Sequence, residues 1–275
     1  MALTAVCYVK ARSGATTTAV GLAALLPERA RPVVVECDPA GGDLTLRHGL
    51  RSASPGLVEL ATATRTGVAR SQPDGGEVLS RYAQPIRLGD RTVDVVLAPS
   101  GGAQTQVALS VLARPGHGVL TAADRMVIAD CGRLDFASPT WPLLGLADAV
   151  VVLTRGRVDE LGHLRERIGE LVRQVSGRLL VWLVAGGPYQ AADVQEYLNR
   201  HLTRVLELPA DGVQVRELLP YDERTAAVLD GSRKAGRRWR RRPLMRALSQ
   251  LAAELPTAGA SSPTAAAFRS GVEVR

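Results

Sequence analysis

The sequence predicts an α/β protein with a doubly wound, mostly parallel sheet and helices on both faces. Short runs of apolar, often β-branched residues recur along the chain, which is typical of strands buried on both faces. Helical stretches separate most of these runs, and right-handed crossovers between parallel strands place such helices on both sides of a sheet. In a sheet of this kind, ligands bind where the carboxyl ends of the strands meet.

Length and composition fit one large domain followed by a tail. The chain has 275 residues, of which 46% are hydrophobic and only 4% aromatic, so we expect a core of Val, Leu and Ala over residues 1–255. Residues 256–275 are rich in Ala, Ser, Thr, Pro and Gly, and we expect them to be disordered. The apolar runs are too short to cross a membrane, and the N-terminus lacks the layout of a signal peptide. We therefore expect a cytoplasmic protein.

Three cysteines, Cys7, Cys37 and Cys131, each lie in or beside a predicted strand. So small and odd a number does not suit a disulfide framework, and it favours a reducing compartment. Small buried side chains explain these cysteines better than a metal site, because their neighbours in the sequence include no histidine. The formal net charge of +7 permits an acidic partner without identifying one.

The first predicted strand, residues 3–9, leads through a loop into a helix at residues 19–26. The hydroxyls of residues 16–18 are candidate caps of that helix. A strand–turn–helix leaves backbone N–H groups and the positive end of the helix dipole facing an anion. The loop residues, KARSGATT, stand where a P-loop holds phosphate, although they depart from the pattern GxxxxGK[ST]. A strand–turn–helix without a ligand gives a similar pattern.

A second predicted strand, residues 32–36, ends in the sequence CDPAGGDL. Carboxylates at the C-terminal end of a strand, followed by Pro and two Gly, are typical of a functional loop. Asp38 is the candidate functional residue of this loop. A surface turn capped by an aspartate is the alternative interpretation.

The middle of the chain predicts a short helix at residues 56–64, an interior strand at 92–97 and a helix at 104–112. A further strand at residues 125–129 ends in Asp130, which Gly132 follows closely. An apolar strand ending in Asp is the Walker B arrangement, in which the carboxylate reaches a magnesium shell. The same residues also suit an ordinary turn.

The second half of the chain repeats the alternation of strands and helices. We expect interior strands at residues 149–154 and 178–185, each followed by a helix, and a short edge strand at residues 205–208. The three helices of this half are predicted at residues 159–175, 191–202 and 243–255.

In this order the motifs resemble those of the MinD/ParA family of P-loop ATPases, whose deviant Walker A loop reads KGGxGKTT. Aligned with that loop, Lys10 is the signature lysine and Thr16 the magnesium-binding hydroxyl. Ala11 and Arg12 replace the paired glycines, and Ala15 replaces the lysine that is aimed at the β- and γ-phosphates. The resemblance implies a P-loop NTPase-like fold and a nucleotide held by residues Lys10, Arg12, Ser13, Gly14, Ala15, Thr16 and Thr17.

The resemblance also implies roles for the later motifs. The resemblance gives Asp38 the role of orienting or activating the attacking water, and it makes Asp130 with Gly132 the switch II motif. Thr16, Asp38 and Asp130 would then hold Mg²⁺.

A late LPYD sequence resembles a family turn near the nucleotide base, which places Pro220 and Tyr221 at the base. The adenine-reading Asn of the family is missing, because Ala185 and Gly186 occupy its region.

The resemblance implies a switch in which ATP and Mg²⁺ close a dimer, with Lys10 reaching the phosphates of the partner, and hydrolysis reopens it. Such proteins position or partition chromosomes, plasmids and division, secretion or pilus machines, and divergent MinD-like proteins of actinobacteria are the most similar. A pseudo-ATPase scaffold is the alternative, favoured by Ala15 and Arg12, although Arg12 could supply part of the charge lost at Ala15. A metabolic P-loop enzyme, such as a cobyrinate or dethiobiotin synthetase relative, shares the fold.

A basic cluster precedes the last predicted helix. Seven cations so close together form a phosphate-seeking patch, and an aromatic residue among them could stack on a base or lie at a membrane surface. We favour DNA over a membrane, because no amphipathic stretch follows the cluster. A solvated face or a contact with an acidic partner protein is the alternative. The cluster consists of Arg233, Lys234, Arg237, Arg238, Trp239, Arg240, Arg241 and Arg242.

Overall fold

The computed structural model describes residues 2–11, 13–68, 75–114, 118–121 and 125–256. Arg12 and almost all of the predicted tail lie outside these residues. Within the described ranges, eight strands form one sheet. They are β1 (Ala2–Tyr8), β2 (Val33–Glu36), β3 (Gln84–Leu88), β4 (Arg91–Val96), β5 (Met126–Arg133), β6 (Ala149–Arg155), β7 (Arg178–Val184) and β8 (Val213–Leu219).

Helices connect most of these strands. In the described part of the chain they are α1 (Ala15–Leu25), α2 (Leu44–Arg47), α3 (Leu57–Arg65), α4 (Gly75–Tyr82), α5 (Gly102–Leu112), α6 (Trp141–Leu146), α7 (Val158–Gln174), α8 (Ala191–Arg204), α9 (Glu223–Leu229) and α10 (Pro243–Glu254). None of these helices is long and apolar enough to cross the bilayer.

The strand order is β3-β4-β2-β5-β1-β6-β7-β8. Every neighbouring pair is parallel except β3 and β4, which are antiparallel. From β1 the chain builds the sheet outward through β2 and β4, returns at β5, and then extends the other side through β6, β7 and β8. The order therefore reverses at β1, which is the position where doubly wound sheets bind ligands.

Two hydrophobic layers cover the sheet. Helices α3 to α8 pack on one face around buried side chains such as Leu109 and Ile168. Helices α1, α9 and α10 pack on the other face around Leu22, Leu229 and Leu248. The predicted doubly wound α/β fold with helices on both faces is confirmed.

Residues 205–208 do not form the predicted edge strand. They complete the end of α8, where the Val205 N–H donates to the His201 carbonyl at 3.1 Å and the Leu208 N–H to the Leu202 carbonyl at 2.9 Å. The edges of the sheet are instead β8 and β3, and neither was predicted as a strand. The five residues of β3, QPIRL, include a proline and an arginine, so they lack the apolar run that marked the interior strands.

Candidate functional site

The loop between β1 and α1 has the backbone geometry of an anion-binding turn. Ala11 and Gly14 both have left-handed φ values, 61° and 83°, and a Cβ added at Gly14 would meet no atom within 4 Å. The Ser13 hydroxyl donates to the Lys10 carbonyl at 3.3 Å and ties the loop together. One face of Gly14 is therefore open for a ligand to approach the backbone closely.

Helix α1 begins at Ala15 without a side-chain cap, so the predicted capping by the hydroxyls of residues 16–18 is wrong. Gly14 is the N-cap residue, and Thr16 and Thr17 already lie in the first helical turn. The first N–H groups of a helix have no intrahelical partner. Together with the helix dipole, they leave this end of α1 suited to bind phosphate.

Asp130 ends the apolar part of β5 and lies opposite Val6 of β1 and Glu36 of β2. It is only 2% exposed, and the Thr16 side chain hydrogen-bonds its carboxylate. The pKa of Asp130 is raised to about 7, chiefly by burial; the nearby charges of Glu36 and Asp38 also raise it, and the hydrogen bond from Thr16 lowers it. The structure thus brings the two predicted magnesium ligands Thr16 and Asp130 into direct contact.

Asp38 lies against the backbone of Gly132. A Cβ added at Gly132, whose φ is 58°, would overlap the Asp38 carboxylate. The Asp38 Oδ1 atom accepts the Ala40 N–H at 2.8 Å, which fixes the carboxylate at the start of its loop. Burial raises the pKa of Asp38, partly offset by that hydrogen bond. Asp38, Asp130 and Thr16 therefore meet where β1, β2 and β5 end.

This donor set fits magnesium. Thr16 offers a hydroxyl, and Asp38 and Asp130 offer carboxylates, which are the hard oxygen ligands that Mg²⁺ takes when phosphates and waters complete its shell. Among the described residues, no group of three or more His, Cys, Asp or Glu forms a metal site of its own. The three cysteines are buried thiols, in agreement with the sequence, and burial raises the pKa of Cys7 to about 12.

Sequence reasoning missed Glu36, which anchors the Asp38 loop. Its carboxylate is 2% exposed and accepts three backbone N–H groups, from Asp43 at 2.8 Å, Leu44 at 2.9 Å and Ala98 at 2.9 Å. A Cβ added at Gly42 would overlap this carboxylate. The available signal was a charged residue at the end of an apolar strand, followed by two glycines.

Replacing Glu36 with glutamine is expected to lower the free energy of unfolding by about 1–3 kcal/mol, because the new amide cannot accept all three N–H groups. Urea unfolding at pH 7 measures the change. Asp43→Asn is the matched control, since the Asp43 ion pair with Arg47 is exposed and contributes little. Equal stability of the two variants would contradict the anchoring role.

The late LPYD turn lies on the same edge of the sheet but away from the loop. Pro220 and Tyr221 follow β8, which β6 and β7 separate from β1. Tyr221 is 82% exposed. Among the residues that the structure describes, neither is linked to the β1–α1 loop, and their predicted contact with a base is untested.

Asp222, the last residue of this turn, connects α9 to Arg242, the residue before α10. It caps α9 by accepting the Thr225 N–H at 3.2 Å and hydroxyl at 2.7 Å, and it pairs with Arg242 at 2.8 Å. Burial alone would raise the pKa of Asp222, but the hydrogen bonds from Arg242 and Thr225 outweigh it and hold the pKa at about 2. The carboxylate therefore stays ionised in the folded protein.

Asp222→Asn is expected to lower the free energy of unfolding by about 1–2 kcal/mol at pH 7, because a helix cap and a partly exposed ion pair are lost. The folded pKa lies below the unfolded value of about 3.9. The difference in the free energy of unfolding between wild type and variant is therefore largest above about pH 3.9, and it disappears as the pH falls toward 2. Urea unfolding at pH 7, 4 and 3 tests this, with Asp211→Asn as an exposed control. A difference that is independent of pH would refute the assignment.

The structure corrects the interpretation of the basic cluster. Trp239 is 4% exposed, and its indole N–H donates to Asp90 at 3.2 Å, so it is not free to stack on a base or to enter a membrane surface. Arg240 pairs with Asp90 at 2.7 Å, and Arg242 pairs with Asp222. The cations left exposed, without an ion-pair partner among the described residues, are Arg233, Lys234, Arg237, Arg238 and Arg241.

No family model matches the sequence, and no curated protein matches it. Solved structures of two ATPases and of a protein in complex with Mg-ADP share its fold. The cell division ATPase MinD of Pyrococcus furiosus is 14% identical, with a TM-score of 0.63 over 92% of this chain and 97% of that one. A ParA family ATPase of Chlorobium tepidum is 15% identical, with a TM-score of 0.61 over 92% and 98%.

The third structure is the septum site-determining protein MinD of Pyrococcus horikoshii in complex with Mg-ADP. It is 14% identical, with a TM-score of 0.57 over 92% of this chain and 95% of that one. Identities this low establish the fold alone. The chain has the fold of the MinD and ParA ATPases.

Proposed function

We propose that this protein is a magnesium- and ATP-dependent dimeric switch of the MinD/ParA type that serves to position or partition a cargo. The observation that carries the proposal is the contact between the Thr16 side chain and the buried Asp130 carboxylate. That contact lies directly behind an open loop and the uncapped start of α1. Structures with the same fold include an ATPase and a complex with Mg-ADP.

Each part of the site has a physical role in this proposal. The loop at Gly14 and the first amides of α1 bind the phosphates, since both present N–H groups to an anion. Thr16 and Asp130 hold the magnesium ion, which neutralises phosphate charge when it is bound. Asp38, held against Gly132 and by the Ala40 N–H, orients the attacking water.

The absence of the phosphate lysine affects the affinity of the site for nucleotide. Ala15 is 3% exposed and carries no charge, so in this proposal the positive charge near the phosphates comes from Arg12 and, in the dimer, from Lys10 of the other subunit. Ala15 also favours the second candidate function, a pseudo-ATPase scaffold that keeps the fold and the dimer surface without turnover.

Calorimetric titration with ATP and ADP, with and without magnesium, tests the proposal. We expect magnesium-dependent binding by the wild-type protein and at least tenfold tighter binding by Ala15→Lys, because a lysine at the start of α1 restores the charge aimed at the phosphates. Binding by Ala15→Lys alone would support the scaffold. Absence of binding by both proteins would contradict a nucleotide site.

A further inference from the structure

The basic cluster lies beside an open edge of the sheet. Strand β3 pairs with β4 on one side and has no neighbour on the other in the described sheet. A groove of about 610 Å³ separates residues 85–89 of this edge from residues 231–235, the loop that follows α9. Ile86 and Leu88 bond to β4, so at this edge Arg87 presents a free N–H and C=O to another strand and Pro85 presents a C=O.

The loop that forms the second wall is held in place at both ends. At its start, the Arg233 N–H donates to the Ala227 carbonyl at 2.9 Å, and the Ser232 hydroxyl donates to Asp230 at 2.6 Å. At its far end, Trp239 and Arg240 both bind Asp90, which follows β3. The backbone of the loop is therefore held at the rim of the groove, and its cations do not lie on a free arm.

The groove carries charge of one sign. Its lining includes Arg87, Arg233 and Lys234 and contains no Asp or Glu. All three side chains are exposed and have no ion-pair partner within the described residues. Arg237, Arg238 and Arg241 extend the positive surface beyond the groove.

These features favour an acidic peptide over other occupants. An extended peptide supplies both N–H donors and carbonyl acceptors to a free strand edge, whereas a phosphodiester backbone supplies acceptors only. Arg87 on the edge disfavours pairing with a second copy of the same strand, because the like charges would repel. Carboxylates of an acidic peptide would meet cations on both walls.

We propose that this groove binds an extended acidic segment of a partner protein, which adds a strand to β3 and places its carboxylates against Arg87, Arg233 and Lys234. The site lies at the edge of the sheet, four positions from β1. Binding of the peptide is therefore measurable whether or not the nucleotide site works as proposed.

Fluorescence anisotropy with the full chain tests this proposal. The probe is a labelled decapeptide of five Val-Glu repeats. We expect it to bind, to weaken as salt rises, and to bind at least tenfold more tightly than five Val-Lys repeats. A Val-Glu peptide that is N-methylated at every residue keeps its charge but loses its backbone donors. We expect at least tenfold weaker binding of that peptide as well.

The double variant Arg233→Glu with Lys234→Glu is expected to bind the Val-Glu peptide at least tenfold more weakly. Arg173→Glu with Arg204→Glu makes the same change in charge at exposed residues of α7 and α8, and we expect its affinity to stay within twofold of wild type. Hydrogen exchange locates the peptide, which should slow exchange at the amide of Arg87, while the amides of Ile86 and Leu88, which bond to β4, serve as internal references.

Three results would overturn the proposal. Equal affinity for the methylated and unmethylated peptides would exclude strand pairing. An equal loss of affinity in both double variants would mean that binding depends only on the net charge of the protein. A 20-base-pair DNA duplex that binds the wild type but not the Arg233→Glu, Lys234→Glu variant, with no binding of the Val-Glu peptide, would assign this surface to nucleic acid.

Discussion

Replacing Asp130 with asparagine is expected to lower the affinity for Mg²⁺-ATP about 100-fold, because the carboxylate that we propose as a magnesium ligand becomes a neutral amide. The fold should survive the change. Asp130 is buried beside Glu36 and Asp38, and burial raises its pKa to about 7, so the ionised carboxylate is itself unfavourable there. Binding should therefore fall while the free energy of unfolding stays equal or rises.

Calorimetric titration with ATP, with and without magnesium, separates the metal from the nucleotide. The affinity measured without magnesium should change little in Asp130→Asn, since the loop and α1 still bind the phosphates. Asp135→Asn, an exposed carboxylate five residues further along, is the matched control and should bind like wild type. Full magnesium dependence in Asp130→Asn would remove Asp130 from the metal site.

The interior of the sheet could be predicted because its strands are continuous apolar runs. Residues 149–154 and 178–185 consist mostly of large apolar side chains, and the structure contains β6 and β7 there. Strand β3 escaped prediction because only two of its five residues are buried. Residues 205–208, VLEL, are apolar enough for a strand, but α8 uses them for its last turn, and local pattern does not separate these two outcomes.

Some residues of the candidate site could be predicted from local sequence, and others could not, because their partners are distant in the chain. Asp38 and Asp130 follow apolar strands, so the sequence locates them at the end of the sheet. The partner of Trp239 could not be predicted, because Asp90 is 149 positions away in the chain and no local pattern pairs them. Glu36 was overlooked because its three N–H donors come from Asp43, Leu44 and the distant Ala98.

Gly132→Ala is expected to lower the rate of ATP hydrolysis about 100-fold, the usual contribution of a group that activates the attacking water. A Cβ at this position would overlap the Asp38 carboxylate and push it away from its place beside Asp130. Affinity for Mg²⁺-ATP should stay within a few-fold of wild type, because Thr16, Asp130 and the loop are unchanged. Phosphate release and calorimetry measure the two quantities.

An alanine at Gly132, where φ is 58°, would also strain the backbone. The test therefore needs a control variant with a similar φ. Gly49→Ala provides it, because φ is 62° there and a Cβ would meet no atom within 4 Å. Each variant should lose about 1 kcal/mol of stability, and only Gly132→Ala should lose hydrolysis. If Gly132 acts through Asp38, the double variant with Asp38→Ala is no slower than Asp38→Ala alone. A further loss in the double variant would mean that Gly132 acts by another route.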